Sequence, residues 1–147
     1  NEKVTMLNCV RWHPLVGWMD SSAAVIDCSS DAPLYGGTFY LSGSDPETLL
    51  LIFGRVKDQR VVSIKISLQK QSGQIEGRDI WTEYDTRTSV AQNWVEKDGA
   101  RYFVESIDLK QEDSNSPMRI MIVAYDESGV ELASVDASQY NCWASLG

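Results

Sequence analysis

A single histidine and three cysteines are all that this 147-residue chain offers for the commonest nucleophilic and metal chemistry. One histidine excludes the multi-histidine catalytic zinc sites. Cys9 stands four residues before His13, and on a strand that spacing separates the two by about 13 Å, too far for a Cys–His dyad. No Gly-x-Ser-x-Gly elbow is present. Tyr35-Gly36-Gly37-Thr38 lacks the lysine of a phosphate loop and precedes a strand-like segment rather than a helix. His13, next to Pro14, reads as a loop residue.

Cations are scarce as well: 13 Lys and Arg stand against 21 Asp and Glu, for a net charge of −8. Nucleic-acid binding needs clustered cations that displace counterions from phosphates, and no such cluster exists. The same balance argues against docking on an anionic membrane and favours a basic partner, if there is one. Long apolar runs are missing too. Runs such as Leu49 to Phe53 are far short of the roughly twenty residues that span a bilayer.

The odd cysteine count leaves three pairings open, and the spacings match no zinc ribbon or finger. Cys9 and Cys28 lie on two strand-like segments, Val4–Trp12 and Ala23–Ser29. The expectation is one disulfide between them, with Cys142 able to replace either partner. Closing the Cys9–Cys28 loop stabilises by roughly 3 kcal/mol in the chain-entropy model. The alternative is three reduced, buried thiols acting as small apolar residues. The chain opens at Asn1 with no charged-then-apolar leader, so the expected localisation is secreted or periplasmic with the leader already removed, an upstream lipid anchor being left open.

Period-two alternation dominates what is there. Val62-Ser63-Ile64-Lys65-Ile66-Ser67-Leu68-Gln69 places apolar residues on one face and polar ones on the other, a half-buried strand. The short link Lys57–Arg60 joins it to Leu49–Val56, and the pair reads as a hairpin whose first strand is buried on both faces. Asp98-Gly99 predicts a tight turn between Val95–Lys97 and Ala100–Tyr102. Asp126–Gly129 predicts another, between a central strand ending at Tyr125 and Val130–Val135. Ser72-Gly73 marks a further turn, Asp31–Pro33 with Gly36-Gly37 an irregular stretch, and Gln111–Pro117 a polar loop. Helix signals are thin: one turn capped by Asp45 with Pro46 in the first position, and a short coil over Ser138–Trp143. With 147 residues and five Trp, six Tyr and three Phe, the chain suits one well-packed domain over 1–147. The fold class expected is all-β, an antiparallel β-sandwich or open barrel of about eight hairpin-connected strands.

Aromatics and charges concentrate in Arg78–Arg87, the composition of an interface more than of a core. Binding candidates there are Trp81, Glu83, Tyr84, Asp85 and Arg87, with Trp94 beyond. Trp81, Tyr84 and Trp94 form a stacking platform if exposed. Glu83 and Glu105 are the carboxylates to consider for glycoside chemistry. Glu105 shares its alternating face with Phe103, Ile107 and Leu109, so burial of that face demands a partner for it, such as Arg78, Arg87 or Arg101. Acid pairs Asp27/Asp31, Asp45/Glu47 and Glu112/Asp113 form no calcium loop. These features point to an exported, non-enzymatic protein-binding domain without metal or cofactor, an inhibitor or immunity-type protein neutralising a partner such as a basic enzyme or toxin. Two alternatives stand beside it: a carbohydrate-binding module, and an accessory subunit of a surface or secretion assembly.

Overall fold

The computed structural model describes residues 4–13, 15, 17–27, 31–42, 48–110, 112–113 and 116–145, with the backbone alone described for 4–13, 17–27, 41–42 and 139–145. Eleven strands are seen among these residues: β1 (Val4–His13), β2 (Gly17–Asp27), β3 (Leu34–Ser42), β4 (Thr48–Val56), β5 (Ser63–Ile75), β6 (Arg78–Val90), β7 (Val95–Lys97), β8 (Ala100–Leu109), β9 (Met118–Tyr125), β10 (Glu131–Asp136) and β11 (Asn141–Ser145). Two single 3₁₀ turns, Ala91–Asn93 and Ala137–Tyr140, are the helical elements described. No helix among the described residues is long and apolar enough to cross a membrane.

Strands β3 to β10 build two open antiparallel sheets. One runs β10-β9-β5-β6, and the other β3-β4-β8-β7, which β11 extends by pairing parallel to β3. The β1–β2 hairpin pairs with neither. Between the sheets lies one apolar cluster, with Leu34, Leu50, Ile52, Val56, Phe103, Ile107 and Leu109 from one side. Ile64, Ile66, Leu68, Ile120, Ile122 and Ala124 meet them from the other. This is sandwich packing, in which inward residues of two sheets interdigitate, and the barrel alternative falls away. Fully burying each Ile or Leu contributes roughly 1.5–3 kcal/mol of transfer free energy.

β4 is buried along its length because both its edges and both its faces are occupied. Its even positions enter the inter-sheet core, and on the other face Leu51, Phe53 and Arg55 are buried beside Phe39. Arg55 sits in register between Tyr35 and Tyr102. The continuous apolar run in the sequence has this cause.

The expected hairpin between β4 and β5 does not form. β3 and β8 take both edges of β4, so Lys57–Arg60 carries the chain across to the other sheet. The crossing is a built corner: the Lys57 amide bonds the Pro33 carbonyl at 2.9 Å, and the Val61 amide bonds that of Asp58 at 3.2 Å. Arg101 also donates to the Asp58 carbonyl at 2.8 Å. Asp58 receives two guanidinium bonds and an amide bond from Arg60. Those bonds bring its carboxyl down to about 2.

The two other hairpins form as their turn residues predict. Lys97 pairs with Ala100 across Asp98 and Gly99, both at positive φ. β9 is central, with β10 on one side and β5 on the other. The Asp126 carboxylate caps its turn by accepting the amides of Ser128 and Val130, both at 2.9 Å.

Four local expectations are corrected. Ser72-Gly73 is no turn: both residues lie within β5, where the ladder with β6 is irregular, and the reversal comes at Glu76-Gly77, both left-handed. Gly36 and Gly37 belong to β3, and Gly36 lets the sheets approach, since a Cβ there would stand 2.6 Å from Ile122 Cδ1. His13 ends β1 opposite Gly17 rather than lying in a loop. Ser138–Trp143 resolves into a 3₁₀ turn followed by β11. The Asp45 helical turn and Cys28 lie outside the described residues. So do the side chains of Cys9 and Cys142, whose backbones pair with Ser22 and Phe39.

Candidate functional site

β6 is the strand on which the sequence concentrates its candidates, and the structure makes it an edge. It runs thirteen residues and, among the described residues, pairs only with β5. β9 covers β5 only as far as Lys70. Beyond that point β5 and β6 continue as a two-stranded arm to the turn at Glu76-Gly77. Most of the arm is exposed, including Ile75 at 64%. Asp79 ties it together by accepting from Gln71 and Gln74, each at 2.7 Å.

Register assigns the faces. Ile64, Ile66 and Leu68 point into the core, and opposite them stand Ser89, Arg87 and Asp85. After one irregularity Gln69 faces Glu83, so Tyr84 is an extra residue on β6, a bulge. Glu83 and Trp81 therefore lie on the outer face, away from the other sheet. Tyr84 turns inward instead and packs against the core.

At the base of the arm the bulge serves a partly buried ion pair. Lys70 Nζ donates to the Asp113 carboxylate, and Asp113 is buried. Tyr84 hydrogen-bonds to the same carboxylate and to the Lys110 backbone. The Lys70 hydrogen bond holds the Asp113 carboxyl below its usual range against the opposing effect of desolvation, with Tyr84 assisting. Asp113 in turn raises Lys70. Desolvation, more than Asp113, pushes the Tyr84 phenol up. The Gln71 amide closes the assembly by donating to the Pro117 carbonyl at 3.1 Å. The Lys110–Pro117 connection is thus pinned to β5 and β6.

The candidates separate accordingly. Trp94 is in the core: its Nε1 donates to Ser89 Oγ at 3.0 Å. Its ring lies 5.9 Å from that of Phe103, with Arg101 5.3 Å from its centroid. Tyr84 is committed to Asp113, so only Trp81 of the three-aromatic platform remains on the outer face. Asp85 and Arg87 pair with each other at 3.0 Å. Glu83 accepts the Thr86 hydroxyl at 2.9 Å.

Glu105 lies half-buried on the inward face of β8, and no ion pair holds it among the described residues. The expected partner Arg101 faces Trp94 and the Asp58 carbonyl instead. Glu83 and Glu105 stand on opposite sides of the β6 sheet and do not flank a common space. Among the described residues no three His, Cys, Asp or Glu side chains gather as metal ligands.

Lys70 and Asp113 escaped the sequence reading. A lysine at the end of an alternating strand and an aspartate in a polar loop both look solvated. Their partnership depends on a contact across 43 positions. No protein-family model matches the chain, and no curated protein matches it.

Proposed function

We propose that the chain is an exported, non-enzymatic protein-binding domain of inhibitor or immunity type, and that it engages a basic partner through the β5–β6 arm. The observation that carries this reading is the arm itself. It projects past β9, exposes Ile75, and presents Trp81, Asp79 and Glu83 on one outer face. An aromatic residue flanked by carboxylates suits anchoring with electrostatic steering, and Ile75, in register with Arg78, adds an apolar contact on the opposite face of the arm. The overall charge of −8 favours a cationic partner in the same sense.

The test is titration against a panel of cationic secreted hydrolases, reading both binding and their residual activity. Trp81→Ala with Glu83→Lys is expected to abolish binding that the parent chain shows. Equal binding by parent and variant overturns the role of the arm.

A carbohydrate-binding reading retains one specific support: Trp81 pairs with Gln71, next to a row formed by Glu83, Gln69 and Arg119. A shift of tryptophan fluorescence on adding glycans, lost in Trp81→Ala, favours that reading over the first. Export rests on the cysteines. Labelling of free thiols before and after reduction separates one disulfide, one thiol then three, from three thiols throughout.

A further inference from the structure

The other side of the same strand carries an inference that is independent of that reading. The two sheets end in four edges: β10 and β6 in one, β11 and β7 in the other. β7 is three residues long, β11 five and β10 six, whereas β6 has thirteen and contains neither lysine nor proline. A long unpaired edge invites strand addition unless it is guarded.

The guards on β6 are its own. Tyr84 bulges, Asp85 and Arg87 point toward the core side, and the Asp85 carboxylate accepts the Thr86 amide at 2.8 Å. That bond also shows that the Thr86 N–H is directed away from β5, into the open edge. A strand of arbitrary sequence docking here would break the Asp85 bond and cover Asp85 and Arg87 without compensation.

A second copy of the chain would break that bond too, but it would give the Thr86 amide and both charges new partners. In antiparallel pairing about a two-fold axis through Thr86, Asp85 of each copy stands opposite Arg87 of the other. Thr86 stands opposite itself, its edge-directed amide facing the other copy. Opposed charges across strands are favourable and like charges are not. Centring the pairing on Glu83, Asp85 or Arg87 sets identical charges face to face. Centring it on Tyr84 sets Glu83 against Asp85.

We propose that β6 pairs with β6 of a second copy, centred on Thr86, joining two four-stranded sheets into one of eight. The contact is isologous and closes on itself, so it consumes the edge without propagating a fibre. The charges that repel a foreign strand admit this one, which is discrimination by the same residues in both directions. Both copies of Trp81 then fall on the same outer surface of the joined sheet.

Sedimentation equilibrium on the intact chain up to millimolar concentration tests this. The parent is expected to dimerise, with Thr86 and Thr88 amides exchanging more slowly as concentration rises. Asp85→Lys places lysine opposite arginine twice and is expected to weaken the dimer by about tenfold or more. The charge-swapped double variant Asp85→Arg with Arg87→Asp restores the register and is expected to recover it. Far-ultraviolet circular dichroism checks that each variant is folded, and Arg87→Asp alone replaces Asp85→Lys if that variant is not. A parent that stays monomeric throughout, or a folded single variant that dimerises as the parent does, overturns the proposal.

Discussion

β4 and β6 are both strands of this sandwich, yet they live in opposite environments. β4 has nine residues, a partner on each edge, and eight buried positions. β6 has thirteen residues, one partner, and a single buried position, Ser89. β4 is held by what surrounds it, so its sequence is apolar on both faces except at Thr48 and Arg55. β6 is held by one ladder and by a few specific polar bonds at its base. The comparison places the cooperative core around the first region and leaves the second mostly outside it, where local opening costs least.

The largest expected effect comes from cutting into the shared core. Ile66→Ala removes a fully buried side chain of β5 between the sheets. It should cost about 2–5 kcal/mol, seen as a lower urea midpoint with the slope unchanged. A cost near zero would mean that the sheets are not mutually dependent.

An intermediate and more local effect is expected at the base of the arm. Asp113→Asn removes the charge that Lys70 and Tyr84 hold, so amide exchange at Gln71 and Ser116 should quicken before the core loosens. The sign of its pH dependence follows from the depressed folded-state carboxyl. Its stabilisation is complete above the ordinary aspartate value of about 3.9 and is lost as pH falls through the lower folded value. The parent and Asp113→Asn should therefore differ at neutral pH and converge in strong acid. A difference that grows on acidification would show that the Lys70 bond does not control this loop.

The smallest effect belongs to the tip. Ile75→Ser exchanges an exposed apolar residue on the arm and should change stability by no more than about 0.5 kcal/mol. A larger loss would place the arm within the cooperative core and erase the contrast with β4.

What could be read in the sequence was local. The β7–β8 and β9–β10 hairpins follow from turn residues that demand particular backbone angles, and the inward face of β5 follows from alternation. The link after β4 could not be read. Four polar residues serve a hairpin and a crossing between sheets equally well, and the choice depends on β8 claiming the edge of β4 some fifty positions later. The turn of the arm was misplaced because Ser72-Gly73 carries the usual composition of a reversal yet extends β5. The candidate stretch on β6 was legible as composition. Its division into outward Trp81 and Glu83 and inward Tyr84 required the bulge, which leaves no mark in a single sequence. Arg55, fully buried in β4, had no signal at all beyond its apolar neighbours.

The crossing at Lys57–Arg60 has a consequence for how the chain is made. Successive hairpins are dealt alternately to the two sheets: β3–β4 to one, β5–β6 to the other, β7–β8 to the first, β9–β10 to the second. During synthesis β5 emerges long before β9, the neighbour it needs, and β3 waits for β11 at the far end. Neither sheet is complete until most of the chain has been released. Such high contact order places folding in the slow range for small domains, milliseconds to seconds. Through that interval the apolar face of β5 stands uncovered, and exposed surface of that kind is prone to aggregate.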